Sequence, residues 1–217
     1  MKETRLSIDI VSDTVCPWCV IGYRNLQQAL RELAPEISAD IRWRPFQLNP
    51  DIPPEGESLF EHIRKKYGSS EAESRAMRER ITALGAESGF EFRFTDDFKT
   101  WNTFDTHRAL LWAADQGRET ALQEALFTAY FTQGENPGDP EVLVREAASA
   151  GLAADDLREV LSSDRYRAET VKALQEVQQL GITGVPNFII NQRYSISGGQ
   201  PVAAFRDILT RLANEAA

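Results

Sequence analysis

The first 45 residues pass from a strand period to a helix period and back, and this order limits the folds open to the chain. Residues 6–11 place apolar side chains at every second position, as a half-buried strand does. Between Val20 and Leu33 apolar residues recur at spacings of three and four, which predicts a helix. Residues 37–43 alternate again. A connection of this length favours a right-handed βαβ unit with parallel strands.

The rest of the chain predicts a long helical segment and then a second unit that contains strands. Several prolines and Gly56 interrupt the first pattern, and helical periodicity runs over about residues 57–180. Residues 187–197 predict a hairpin, and Pro201 opens a last helix. The two ends of the chain therefore read β-α-β and β-β-α, which is the element order of a thioredoxin-like fold split in the middle.

We therefore expect an α/β protein of two domains, one of them inserted into the other. Residues 1–55 and 181–217 form the discontinuous thioredoxin-like domain, and residues 56–180 form a large all-helical insertion. Within the insertion, the apolar stripe of residues 77–84 predicts a buried helix face that ends before Gly85.

The charge balance excludes several classes of partner. The chain has 24 basic and 33 acidic residues and a formal net charge of −9. Binding of nucleic acid or of an anionic membrane needs clustered Lys and Arg, so neither is expected as a partner. No apolar stretch reaches transmembrane length, and the segment Met1–Arg5 leads into the first strand without the apolar region of a signal peptide. We expect a cytoplasmic, reducing location.

The only two cysteines, Cys16 and Cys19, carry the strongest chemical signal. A structural disulfide closing so short a loop adds little stability, and a reducing compartment disfavours it. The pair lies between a strand and the first turn of a helix, where backbone N–H groups and the helix dipole stabilise a thiolate. This placement predicts an exposed nucleophile at Cys16 and a more buried resolving thiol at Cys19.

Other interpretations of the pair stay open. A zinc site needs two more ligands, and His62 and His107 are the only histidines, so no metal is predicted. An inert buried pair or a regulatory disulfide without turnover would also fit two cysteines. A C-x-x-C beside a βαβ pattern favours redox chemistry over these alternatives.

A second motif, Val185-Pro186, opens the predicted strand near residue 187. A proline is tolerated at a strand start because it need not donate to the ladder there. Most X-Pro bonds are trans, but together with the Cys16 motif we expect a cis bond that places the Val185 backbone against the cysteines.

The remaining candidate residues each have an alternative structural interpretation. Asp13 is either a proton shuttle for the thiols or the cap of a local turn. Asn102 and His107 fit a substrate site, but also a helix N-cap and a residue packed on a helix face. Gln200 is either a ligand-binding amide or part of a turn. Trp18, with other aromatic residues, is either part of an apolar cleft lining or of the core.

Four segments resemble the DsbA-like family of thioredoxin-fold proteins, and most closely its FrnE-type cytosolic branch. They are the segments 12–19, 43–50, 181–186 and 197–201. The resemblance implies a thioredoxin fold with an inserted helical domain, a nucleophilic Cys16, a resolving Cys19 and a cis Pro186. It also implies disulfide oxidoreductase or isomerase activity, and some members are associated with polyketide biosynthesis. We expect protein thiols and disulfides as substrates, and a substrate site that includes the residues Val185, Pro17, Trp18, Asp13, Asn102 and Gln200. Because Trp18 replaces the histidine that periplasmic DsbA carries, we expect a weaker oxidant.

The alternative function is a glutathione-dependent isomerase or transferase acting on a small aromatic or polyketide-type molecule. This interpretation rests on a resemblance to hydroxychromene-carboxylate isomerases and kappa-class glutathione transferases. Those relatives carry serine where Cys16 stands and an acidic or Asp-Arg element near the last helix, which Gly199-Gln200-Pro201 lacks. We therefore expect no cofactor beyond the cysteine pair, with glutathione as a candidate reductant. The direction of catalysis and the natural substrate stay open.

Overall fold

The structure is a computed structural model that describes residues 3–216. Six elements from the two ends of the chain form the sheet unit: β1 (Thr4–Ser12), α1 (Pro17–Leu33), β2 (Ile37–Pro45), β5 (Asn187–Ile190), β6 (Tyr194–Ser197) and α9 (Val202–Ala216). Nine elements lie between them: β3 (Glu57–Ser58), α2 (Leu59–Tyr67), α3 (Glu71–Glu87), β4 (Lys99–Thr100), α4 (Phe104–Ala114), α5 (Glu119–Phe131), α6 (Pro140–Ser149), α7 (Ala154–Leu161) and α8 (Arg167–Gln179).

The sheet joins both ends of the chain in the order β2-β1-β5-β6. β1 pairs with β2 in parallel, with Ile8 opposite Ile41, as expected for a right-handed βαβ unit. β5 pairs antiparallel with both β1 and β6, and Ile8 lies opposite Ile190 on that side. The predicted βαβ unit, hairpin and final helix are confirmed, and the fold is the expected α/β thioredoxin-like fold.

Two apolar cores hold the molecule together. The first lies around the sheet, where Leu6, Ile10 and Phe188 are at most 1% exposed, and α9 packs on it through Phe205, whose ring is 4.8 Å from that of Phe188. The second core lies among α4, α5, α6 and α7. Part of the inserted segment, including Phe131, also belongs to the first core. The division into two domains at these boundaries therefore stays a prediction.

The inserted segment differs from the sequence prediction in three details. β3 and β4 form a short antiparallel ladder that was not predicted, because two-residue strands show no alternation. α3 does not end before Gly85 but continues to Glu87. Gly85 is needed for packing and not for a helix end, because a Cβ there would lie 2.3 Å from the Phe92 ring. Met77 is 45% exposed, so its assignment to a buried stripe is wrong; its helix face borders a cavity instead. Within the described range, no helix is long and apolar enough to span a membrane.

Candidate redox site

Cys16 and Cys19 lie at the start of α1. Cys16 is the N-cap residue, with an extended backbone (φ −98°, ψ 110°), and Pro17 occupies the first turn. The Cys16 N–H donates to the Asp13 carbonyl at 3.0 Å, and the Cys19 N–H donates to the Cys16 carbonyl at 3.1 Å. Both thiols are free. A helix N-terminus with this geometry favours a thiolate at the N-cap position.

The Val185–Pro186 segment lies directly against this helix start. The peptide bond between the two residues is cis, which confirms the prediction. The Cys16 thiol lies 3.7 Å from the Val185 carbonyl oxygen, although the two residues are far apart in sequence. The Gly198 N–H donates to the Pro186 carbonyl at 2.8 Å, so the turn after β6 holds the proline in place.

Two glycines allow the turn after β6 to approach α1. A Cβ on Gly22 would lie 3.0 Å from the Gly199 Cα and 3.3 Å from the Pro186 ring. A Cβ on Gly199 would lie 3.0 Å from the Trp18 carbonyl oxygen. The close approach of the Pro186 segment to the cysteine helix therefore depends on the absence of side chains at these two positions.

Cys16 is buried, so the prediction of an exposed nucleophile is wrong. Its residue is 3% exposed and Cys19 is fully buried. The Val185 carbonyl oxygen, 3.7 Å from the thiol, is one of the groups packed against it. Cys16 nevertheless borders an open cavity of about 790 Å³ between the helix start and the helices α2 and α3.

The two thiols differ in their surroundings. Burial raises the pKa of the Cys19 thiol well above its usual range, and the neighbouring Cys16 raises it further. The Ser12 hydroxyl and the Asp13 backbone oppose this shift only in part. Cys19 is thus held as a neutral thiol below the surface, while Cys16 faces the cavity.

Asp13 and His107 form a buried polar pair next to the cavity wall. One Asp13 oxygen accepts from the Leu48 N–H at 2.7 Å, and the other lies 3.8 Å from His107 Nε2. That nitrogen donates to the Phe46 carbonyl at 2.9 Å. Burial raises the pKa of Asp13 and lowers that of His107. The pair anchors the Phe46–Leu48 segment, of which Leu48 borders the cavity.

Three of the predicted substrate-site residues lie outside the cavity lining, namely Asp13, described above, and Asn102 and Gln200. Asn102 donates to the Pro50 carbonyl at 2.6 Å and accepts from the Phe104 N–H at 2.9 Å. Gln200 donates to the Ser197 carbonyl at 2.8 Å, and its own carbonyl accepts from Asn25. Their contacts are those of a helix start and a turn, which are the structural alternatives considered for them.

The cavity contains residues that the sequence analysis missed. His62 on α2 lies between Glu57 (3.0 Å) and Asn49 (2.8 Å). Lys66, one helical turn later, donates to the Leu48 carbonyl and to Asn49, both at 2.9 Å. Arg80 on α3 places its guanidinium 6.0 Å from the Trp18 ring centre. In sequence these residues look like the polar face of ordinary surface helices.

Arg80 also bears on the comparison of Trp18 with histidine. Trp18 itself supplies no positive charge, but α3 brings the Arg80 guanidinium over its ring. The weaker oxidising power expected from the dipeptide stays a prediction. Among residues 3–216, no three His, Cys, Asp or Glu side chains are grouped so that they could hold a metal ion.

The parallel βαβ unit, the C-x-x-C helix start and the cis-proline turn beside it define a protein of the thioredoxin fold with a pair of free cysteines at its candidate site. A family model described as a DSBA-like thioredoxin domain matches residues 7–210, and the chain belongs to this family. Members of this family are generally oxidoreductases or isomerases.

Solved structures agree with this assignment. A probable DsbA oxidoreductase from Streptomyces coelicolor is 32% identical, with a TM-score of 0.90 over 97% of this chain and 91% of that one. The cytosolic disulfide reductase DsbM from Pseudomonas aeruginosa, solved with GSH, is 17% identical, with a TM-score of 0.64 over 96% and 99%. A 2-hydroxychromene-2-carboxylate isomerase is 12% identical, with a TM-score of 0.70 over 97% of each chain. The last two structures are similar to this chain in fold.

Proposed function

We propose that this chain is a thiol–disulfide oxidoreductase that exchanges disulfides with protein substrates through Cys16 and Cys19. The observation that carries the proposal is the position of Cys16. Its thiol lies at a helix N-cap, 3.7 Å from the Val185 carbonyl, on a cavity large enough to admit a substrate segment. No other cysteine is present in the chain to act as a nucleophile or to form a structural disulfide.

The reaction that we propose has two exchange steps. The Cys16 thiolate attacks one sulfur of a substrate disulfide, a mixed disulfide forms, and the other substrate sulfur leaves as a thiolate that takes up a proton. The Cys19 thiolate then attacks the Cys16 sulfur and releases the second substrate thiol. Cys16 and Cys19 end as a disulfide, so two electrons have passed to the substrate. The reverse sequence forms a disulfide in the substrate.

The raised pKa of Cys19 gives the two steps different requirements. Cys16 attacks from the cavity, whereas Cys19 must first lose a proton in a buried position. The neighbouring Cys16 thiol or thiolate is one of the causes that raise the pKa of Cys19. Formation of the mixed disulfide removes this cause, because the Cys16 sulfur is then bonded to the substrate. Resolution is therefore promoted by the first step.

For the cellular setting, we propose a reducing, cytosolic compartment and glutathione as the reductant that regenerates the dithiol. Two lines support this. The two cysteines lie in one C-x-x-C motif and not at positions of a long-range structural disulfide, as is usual for proteins of a reducing compartment. The structural neighbour DsbM is described as a cytosolic disulfide reductase solved with GSH. The resemblance of the Trp43–Pro50 segment supports placement in the FrnE-type branch.

Reduction of oxidised insulin with glutathione as the electron source tests the proposed function. We expect wild type to reduce insulin faster than glutathione alone and Cys16→Ser to be indistinguishable from glutathione alone. Cys19→Ser should accumulate a mixed disulfide that a thiol reductant releases. Urea unfolding of both variants checks that the fold is intact. A Cys16→Ser variant with the wild-type rate would show that the proposed function is wrong.

A further inference from the structure

The cavity beside Cys16 is larger than the reacting sulfur needs. Its volume of about 790 Å³ lies within the range of about 300–1,000 Å³ that is common for ligand sites. The helix start and Val185 line one side, and α2 and α3 line the other. The cavity therefore also accommodates groups that flank the reacting disulfide, and its walls select among them.

The charges on the wall are opposite in sign to the charge of the whole chain. Lys66, Arg78 and Arg80 border the cavity, whereas Glu73 is the one acidic residue at its border within the described range. The Glu73 carboxylate is already engaged, since it accepts from the Ser70 N–H and hydroxyl in a capping box. The chain as a whole carries −9, so this local excess of positive charge favours an anionic occupant.

The cationic groups are available to a ligand. Lys66 bonds to neutral oxygens of Leu48 and Asn49 and not to a carboxylate. Arg78 and Arg80 form no ion pair with any carboxylate in the part of the chain that the structure describes, whereas Arg75 on the same helix is paired with Glu71 at 3.1 Å. An acidic group entering the cavity would meet charges that no protein carboxylate has neutralised.

The exposed border, or rim, of the cavity includes two large apolar side chains beside the charged ones. Tyr67, the last residue of α2, and Met77, near the middle of α3, are 66% and 45% exposed, and Phe94 and Phe131 also line the cavity. A small molecule confined to the cavity would leave the rim in water. A polypeptide segment passing over the rim would cover it.

We propose that the α2–α3 wall selects polypeptide substrates in which acidic and large apolar residues flank the reacting cysteine. The inference rests on the proposed thiol–disulfide exchange at Cys16. Arg78 and Arg80 attract the acidic residue, and Tyr67 and Met77 bind the apolar side chain. Cys16 then attacks the cysteine sulfur of the disulfide as described above, with the same balance of atoms and electrons.

The test uses three peptides of one sequence that differ only in the residues next to the disulfide, which are Glu, Gln or Lys. Each carries a fluorophore and a quencher that separate on reduction, and second-order rate constants are measured at low and high salt. For wild type at low salt, we expect the Glu peptide to react about tenfold faster than the Lys peptide, since electrostatic steering raises association rates by this order. High salt should reduce the ratio.

The variant with both Arg78→Gln and Arg80→Gln should lower the Glu-to-Lys ratio to less than about twofold. Arg75→Gln is the matched control on α3, because its guanidinium is already paired and lies outside the cavity lining, and it should keep the wild-type ratio.

Three results overturn the inference. If the three peptides react at equal rates through Cys16, the selectivity is absent although the exchange reaction stands. If the double variant keeps the ratio, the selectivity arises elsewhere. If only a small anionic aromatic disulfide, such as dithiobis(nitrobenzoate), depends on the two arginines, the occupant is a small molecule. Reduction of all peptides by Cys16→Ser at the wild-type rate would instead refute the proposed function.

Discussion

Replacement of Gly22 by alanine tests the contact between the cysteine helix and the proline turn. In an exposed helix interior, glycine to alanine stabilises by about 1 kcal/mol. At Gly22 the new Cβ would lie 3.0 Å from the Gly199 Cα, 3.1 Å from the Phe188 ring and 3.3 Å from the Pro186 ring. All three neighbours are held, by the turn, by the core or by the sheet, so overpacking costs about 1–3 kcal/mol. We expect a net loss of about 1 kcal/mol.

Urea unfolding followed by circular dichroism measures this loss. With a slope of about 2 kcal/mol per molar urea, the midpoint should fall by about 0.5 M. Gly184→Ala is the control, because a Cβ there meets no atom within 4 Å. The insulin-reduction rate of Gly22→Ala should also fall, since the turn carrying Val185 must shift away from Cys16. A Gly22→Ala protein as stable as wild type would refute the close-approach argument.

Two further predictions concern stability. Burial raises the pKa of Glu119 from 4.5 to about 7, so the folded state binds this proton more tightly and the group lowers stability as pH rises between these values. At pH 8, Glu119→Gln should be more stable than wild type by about 1–2 kcal/mol after allowance for partial exposure, whereas at pH 4 it should show no such gain. Urea midpoints at the two pH values measure the difference, and an equal difference at both would contradict the prediction. Arg108 is 4% exposed and donates to the carbonyls of Val160 (2.6 Å) and Ser163 (2.5 Å). Arg108→Met should therefore lower the free energy of unfolding by about 3 kcal/mol or more, because it leaves buried acceptors unpaired, and Arg108→Lys should lower it less. An Arg108→Met variant that melts at the wild-type temperature would contradict this prediction.

The features that could be predicted from the sequence are those encoded in neighbouring residues. The alternation before Cys16, the stripe after Cys19 and the proline before residue 187 each report their own local structure, and all three are found. Asp139-Pro140 is a further case, because the Asp139 side chain accepts from the Glu141 and Val142 N–H groups as an N-cap residue should.

The features that could not be predicted depend on contacts between distant segments. Cys16 is buried although it caps a helix, and one contact of its thiol is the carbonyl of Val185, which is distant in sequence. Met77 shows the same limit, since a helical spacing marks a face and not its neighbour. The Asp13–His107 pair could likewise not be predicted, because the residues around His107 on α4 do not indicate that it lies next to Asp13.

The reacting groups and the wall that faces them therefore come from different parts of the chain. The proposed exchange reaction and the proposed substrate selectivity consequently depend on different residues. The reacting geometry comes from the sheet unit: the α1 start, the Val185–Pro186 turn and the glycines that let them meet. The wall that faces a substrate comes from the inserted helices and is joined to the sheet unit by polar contacts, of which Lys66 to the Leu48 carbonyl is one. Substitutions on α2 and α3 should consequently alter which disulfides react while the exchange step itself is preserved. Substitutions at the Gly22 contact should slow all substrates alike.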